Sequence, residues 1–523
     1  MKSIFNRKVL TVFLLLLSCL DLFAIEPMTI KKNIKANDSV MIPLKLEAEE
    51  YIRGEYSLST DIKSIYILDE NKQIIRNLYA NKKLEDRVLF IFDKKGTYYL
   101  KVTTLSKNVN FRFIIQNVVK KEEQVSSTAV NYLSPTLSKL NNKKDIEEFW
   151  EKMKKEGTPL IEKKDENNYI VTYFFEGAKN NVKIRGTSES SLATMNRLKK
   201  SDLWYKSYIL PKGSRFSYRF APDIPKVPGS VFDKKIAMLA TAQADPYNKH
   251  PMEYSKNFDI YNKVSTFILP GQQYTDYSLY TPREKGTVTK YQLKSKILKN
   301  QRAIDLYTPK GFDKNKSYPI VFLFDGKDYQ SRTNTPKILD NLIELKKIPA
   351  TIVVFIDNIN LKTRSLELPA NEHFADFMEK ELLPWFKKNI TTNVDPKWSI
   401  LSGSSYGGLA STFIAFKKPQ SFKKVLSLSG SFWWKPKGVN ESEWLTKEFA
   451  KSEKKDIELI LYVGIYEKGR NGMDLLLSNR HLRDILVAKN YKNKYKEFNG
   501  THDSFSWQVT LADGLIELLK DYK

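Results

Sequence analysis

From Ile25 to Val119 short apolar runs alternate with polar positions and break at turn residues. Ser64-Ile65-Tyr66-Ile67-Leu68 runs into Asp69-Glu70-Asn71-Lys72, and Thr97 to Val102 repeats the pattern. A period of two at this spacing predicts an all-β sandwich. Lys120 to Pro135 is mostly polar and reads as a linker. Asp145 to Lys155 puts Phe149, Trp150 and Met153 on one helical face. Strands follow over Asn168–Phe175, Asn181–Ile184 and Leu203–Tyr208, which predicts a second sandwich ending near Lys256.

From about Ser278 the pattern changes. Ile320–Phe324 and Ala350–Ile356 are continuous apolar runs, each followed by Asp-Gly or Asp-Asn. Phe374 to Lys388 has helical periodicity, and Trp398-Ser399-Ile400-Leu401 leads into a Gly/Ser turn. Val425–Ser429 and Ile457–Val463 are further strand-like runs, Leu475–Lys489 reads as a helix, and Phe505–Asp521 as a closing one. Strands alternating with helices predict a mostly parallel sheet covered on both faces.

The chain has 523 residues, long enough to bury several cores without disulfide or metal staples. Its single cysteine, Cys19, excludes an intramolecular disulfide and a cysteine zinc cluster. Four scattered histidines, His250, His373, His481 and His502, form no metal-binding pair, so no metal and no cofactor is expected. The formal net charge is +26. Lysine is spread along the whole chain, which favours compositional drift; an anionic partner is the other account. No basic-aromatic motif points to nucleic acid.

Lys2, Arg7 and Lys8 precede the apolar run Val9–Leu17, the pattern of a secretory signal. Cleavage after Ala24 is one reading; a lipobox-like Leu16-Leu17-Ser18-Cys19, leaving Cys19 lipidated, is the other. Apolar residues continue past Cys19, and Leu17 is unusual at its place, which favours simple cleavage. Export to the periplasm follows either way, with a membrane link only through a lipidated Cys19. The expected division is a signal over 1–24, a β-sandwich over 25–120, a linker over 121–140, a second β module over 141–265 and an α/β domain over 275–523.

Gly403-Ser404-Ser405-Tyr406-Gly407-Gly408 contains G-x-S-x-G between a strand and the helical run Leu409–Phe416. A strand–turn–helix elbow would hold Ser405 in a strained conformation at the carboxyl end of the sheet. A serine hydroxyl needs a base to become nucleophilic. Only His481 and His502 follow Ser405, and His481 falls inside the predicted helix. His502, in Asn499-Gly500-Thr501-His502-Asp503 after the strand-like Tyr495–Phe498, is the expected base. Glu467 fits the acid, with Asp474 as fallback; Asp503 is uncomfortably close to His502. The oxyanion hole should use the N–H of Tyr406 and one from Asp325-Gly326-Lys327, with Gly326 the choice.

On these residues the chain resembles the enterochelin (enterobactin) esterase family, whose catalytic domain is an esterase D-type α/β-hydrolase. The matching segments are Phe322–Gly326, Arg364 to Trp385, Gly403–Gly408 and Gly500–Trp507. Val463–Glu467 followed by Asn479–Leu482 matches the acid-bearing segment and supports Glu467. Phe149-Trp150, Gly157–Leu160, Trp204-Tyr205 and Asp245–Asn248 resemble the family's immunoglobulin-like N-terminal module. Thr501 and Gln508 depart from the family pattern, which has Gly and often Arg there.

The resemblance covers roughly residues 145–515 and implies an α/β-hydrolase domain behind the immunoglobulin-like module. The first sandwich is an added module, so the expected architecture is an α/β-hydrolase domain preceded by two all-β sandwich domains. The resemblance also implies hydrolysis of an anionic catecholate siderophore, ferric or free, with the iron part of the substrate. Lys327, Arg332 and Arg364 fall in loops near the expected site and are candidate substrate contacts. Two other readings stand: a feruloyl, acetyl-xylan or general carboxylesterase, and a non-catalytic siderophore-binding protein on a hydrolase scaffold.

Overall fold

The computed structural model describes residues 28–46, 51–91, 94–119, 132–189, 192–198, 201–469 and 473–522. The expected signal over 1–24, with Cys19, and linker residues 121–131 lie outside the described residues.

The first module has two four-stranded antiparallel sheets. One orders Met28–Ile34, Val109–Val119, Tyr51–Leu58 and Glu85–Ile91; the other Ser39–Leu46, Gly96–Thr103, Ser64–Leu68 and Ile74–Asn77. Because side chains alternate along a strand, Ile65 and Ile67 face inward together, as do Phe111 and Phe113. These rows meet across one shared core.

The second module repeats the plan. Asn168–Glu176 and Leu203–Pro211 pair in one sheet, and Val182–Arg185, Arg215–Pro222 and Ser265–Ile268 pair in the other. Val171, Tyr173, Trp204, Phe216, Tyr218 and Phe267 fill the space between. The strand Ser265–Ile268 is the edge of that second sheet. The helix Lys143–Glu156 starts at a capping box of Asn142 and Asp145 and lays Phe149, Trp150 and Met153 on Phe174 and Tyr205. The far end of the expected linker is tied down. Leu137 is fully buried in the same cluster, and Ser134 Oγ donates to Glu162 at 2.5 Å.

The third unit is an eight-stranded sheet. In chain order its strands are β1 (Thr287–Ser295), β2 (Asn300–Thr308), β3 (Ile320–Phe324), β4 (Ile352–Ile356), β5 (Ser399–Ser404), β6 (Lys424–Leu428), β7 (Glu458–Gly464) and β8 (Lys492–Phe498). The spatial order is β1-β2-β4-β3-β5-β6-β7-β8, with only β2 antiparallel to its neighbours. Every residue of β3 is buried: Ile320, Phe322 and Phe324 join one core, Val321 and Leu323 the other. A strand covered on both faces must be apolar throughout.

The helical stretch over 372–389 widens into a π turn at Met378–Leu382. Pro384 explains the bulge: it lacks an N–H, and its ring would strike the carbonyl one turn back in a regular helix.

Candidate active site

Ser405 joins β5 to the helix Tyr406–Lys417 at φ 58° and ψ −119°. Such a conformation costs on the order of 1–3 kcal/mol for a residue with a side chain. Its neighbours hold it there: its N–H donates to Leu428 O at 3.0 Å, and its carbonyl accepts Ser431 N–H at 3.0 Å. The flanking glycines make the close approach sterically possible. A Cβ on Gly403 would lie 2.8 Å from the Gly407 carbonyl carbon, and one on Gly408 2.6 Å from Ser427 Oγ.

Glu467 and His502 meet. His502 Nδ1 stands 2.6 Å from Glu467 Oε2, on the loops that follow β8 and β7. The Glu467 side chain has no solvent exposure. Its Oε1 accepts from Ser429 Oγ at 2.6 Å and from Gly464 N–H at 2.8 Å. With a carboxylate at Nδ1 the neutral imidazole keeps its proton there, which leaves Nε2 as the acceptor. Trp507 packs edge-on against the ring at 4.9 Å and donates its Nε1–H to Ser429 Oγ at 3.1 Å.

Ser405 Oγ lies 3.2 Å from Ser431 Oγ, and this pairing, not one with His502, is its side-chain hydrogen bond. The loop after β6 connects the two halves: Ser431 touches Ser405, while Ser429 touches Glu467 and Trp507. All these groups follow the carboxyl ends of the adjacent parallel strands β5 to β8. Neither loop serine was expected from sequence. The available signal was Ser429-Gly430-Ser431 at the end of a wholly buried strand.

The other candidate acids are occupied as helix caps. Asp474 accepts Leu477 N–H at 2.8 Å, and Asp503 accepts Ser506 N–H at 2.8 Å. Burial pushes the Asp503 carboxyl above its ordinary range. His481 is exposed on the helix Leu475–Ala488 and pairs with Glu443 at 2.8 Å.

Tyr406 is the first helical residue after Ser405, so its N–H has no intrahelical acceptor. Gly326 follows β3, the neighbour of β5, and a Cβ there would sit 2.9 Å from the Phe355 carbonyl carbon. Just before it, Asp325 adopts φ 59° and takes both arms of the Arg364 guanidinium, at 2.6 and 2.7 Å. Asn358 donates to the same carboxylate. Arg364 also lies over the Tyr406 ring, and the Trp433 ring packs 6.2 Å from it. Arg332 is 3.3 Å from Asp328. Lys327 is 3.7 Å from Asp357 and its side chain is 70% exposed.

A mostly parallel sheet with this strand order, a serine elbow and a His–Glu pair at one sheet end define an α/β-hydrolase of the esterase kind. Two family models match the chain: "Putative esterase" over residues 295–518, and "Enterochelin esterase, N-terminal" over residues 178–273. The chain belongs to the enterochelin (enterobactin) esterase family. It is 26% identical over 407 residues to an iron(III) enterobactin esterase of Dickeya dadantii, covering 71% of this chain and 93% of the relative. It is 26% identical over 336 residues to an iron(III) enterobactin esterase of Escherichia coli, 62% of this chain and 81% of that protein. The crystal structure of a Shigella flexneri enterobactin esterase in the presence of enterobactin has the same fold. Its TM-score is 0.59 and its identity 24%, over 73% of this chain and 99% of that one.

Proposed function

We propose that this chain is an exported serine esterase that hydrolyses the ester bonds of a catecholate siderophore, an enterobactin-like trilactone in ferric or free form, and so releases its iron. Ser405 Oγ attacks an ester carbonyl and passes its proton to His502 Nε2. To do so the hydroxyl must exchange Ser431 for His502 as its partner. Hydrogen bonds of this kind are often unmade before substrate binds. Glu467 fixes the imidazole and stabilises the imidazolium. The N–H groups of Tyr406 and Gly326 receive the oxyanion. His502 returns the proton to the leaving serine hydroxyl of the lactone, and water activated by the same imidazole clears the acyl-enzyme.

The observation that carries this reading is the 2.6 Å His502–Glu467 pair at the same sheet end as the strained Ser405. The substrate class rests on the relatives, which are named iron(III) enterobactin esterases. Charge agrees with it: a ferric tris-catecholate is an anion and the chain carries +26. Lys327, Arg332 and Arg364 are the cations proposed to meet it. The leader supports export to the periplasm. The immunoglobulin-like character of the middle module, and the domain limits given above, belong to the same proposal.

The test is to incubate the protein with ferric and free enterobactin, acetylated xylan and a feruloyl ester, and follow products by mass spectrometry. Linearised enterobactin supports the proposal. Hydrolysis of only the plant-wall esters supports the second esterase reading. Binding of ferric enterobactin without hydrolysis of any ester supports the non-catalytic one.

A further inference from the structure

The loop that carries His502 makes few bonds of its own. Within it Gly500 N–H reaches Phe498 O and Asp503 N–H reaches Thr501 O, each at 2.9 Å. Thr501 Oγ1 also donates to Asp503 Oδ2 at 2.9 Å, and the second module adds further bonds from outside. Arg215, the first residue of the strand Arg215–Pro222, donates its backbone N–H to Asn499 O at 2.9 Å and pairs as an isolated parallel bridge with Gly500. Asn499 Nδ2 donates to Lys212 O at 2.9 Å, and Ser217 Oγ donates to Asp503 Oδ2 at 3.1 Å. The approach is so close that a Cβ on Gly500 would lie 3.0 Å from Arg215 O.

The Arg215 side chain goes further. Its Nε donates to Phe505 O at 2.7 Å, and its Nη2 to Gln508 Oε1 at 3.0 Å and Asp276 Oδ2 at 2.6 Å. The guanidinium lies over the Phe505 ring, 3.5 Å from its centre. Only 8% of the side chain is exposed. Burying such a charge costs several kcal/mol, and the Asp276 carboxylate with the planar fork of donors offsets that cost. Joining two modules does not require a buried cation. Here the cation is spent on the first turn of the helix that begins two residues after His502.

We infer that Arg215 is a positioning residue for His502: through Asn499, Phe505 and Gln508 the second module fixes the base loop from one side, as Glu467 fixes the imidazole from the other. The inference rests on the proposed role of His502. The esterase domain would then depend on the second module for its catalytic geometry as well as for its shape.

The test uses the full chain with Arg215→Lys, which keeps the charge beside Asp276 but loses the fork. In folded protein kcat for an ester substrate should fall about 10- to 100-fold with KM within about twofold, the cost of a base misplaced by about an ångström. The low-field proton resonance of the His502–Glu467 hydrogen bond should shift or broaden with it. If Arg215→Lys does not fold, Gln508→Met, which removes one acceptor and keeps the ion pair, should move kcat and the resonance in the same direction. Wild-type kcat with an unmoved resonance in either folded variant, or a loss confined to KM, overturns the inference. His502→Ala is measured alongside: if it keeps wild-type activity, the proposed base is wrong, and if it is inactive, a wild-type-like Arg215→Lys counts against Arg215 alone.

Discussion

Glu467 presents one oxygen to His502 Nδ1 at 2.6 Å and commits the other to Ser429 Oγ and Gly464 N–H. With both oxygens used, the carboxylate cannot swing away from the ring. Glu467→Gln keeps the shape but presents the imidazole with a donor or a weaker acceptor, so the wrong tautomer becomes accessible. We expect kcat to fall by about 10³- to 10⁴-fold, with the fold intact. Steady-state hydrolysis of enterobactin, with circular dichroism as control, measures it.

The hydroxyl pair Ser405–Ser431 defines a resting arrangement that the reaction must leave. A neutral hydrogen bond is worth about 0.5–1.5 kcal/mol net. Ser431→Ala removes it, so kcat/KM should stay level or rise by up to about fivefold. A loss of more than about tenfold would instead put Ser431 on the proton path.

Asp325 and Arg364 form a bidentate, largely buried pair beside the proposed oxyanion hole. Arg364→Leu leaves the carboxylate uncompensated and should cost about 3–5 kcal/mol of stability, read by urea unfolding. Because the guanidinium is engaged this way, Arg364→Lys should impair a neutral aryl ester as well as a siderophore. Lys327→Ala, at an exposed position, should raise KM for the anionic substrate only. The reverse pattern would exchange the two roles.

Asp245 sits deep in the second module, where burial raises its carboxyl to about 6 from an ordinary 3.8, against the hydrogen bond from Tyr218 Oη at 2.7 Å. A carboxyl raised in the folded state binds its proton more tightly there than in the unfolded chain. Its contribution is therefore full below about pH 4 and is lost as pH rises through about 6. The difference in unfolding free energy between wild type and Asp245→Asn should shift against the wild type over that interval, by on the order of 3 kcal/mol. Parallel pH profiles for the two proteins would contradict it.

Much of the hydrolase sheet was legible because its central strands are buried on both faces and read as unbroken apolar runs, as at Ile320–Phe324. The edge escaped notice: β1 carries Lys290, Gln292 and Lys294 and is mostly solvent-facing, so no apolar run marks it. Ser405 and His502 could be chosen because few histidines follow the elbow, and Glu467 because it lies just past a strand between them. Ser431 and Arg215 could not. Each acts through contacts set by the fold, Arg215 nearly 300 positions before the helix it touches (separation 290). The commitment of Arg364 to Asp325 was hidden for the same reason, since a charge in a loop does not announce its partner.

The central claim is that Ser405 is made nucleophilic by His502, and labelling with a fluorophosphonate tests it most directly. Peptide mapping of the wild-type protein should find a single phosphonyl adduct on Ser405. Glu467→Gln should slow the labelling, and His502→Ala nearly abolish it. An adduct on another residue, or equal labelling of Ser405 in wild type and His502→Ala, would contradict the account.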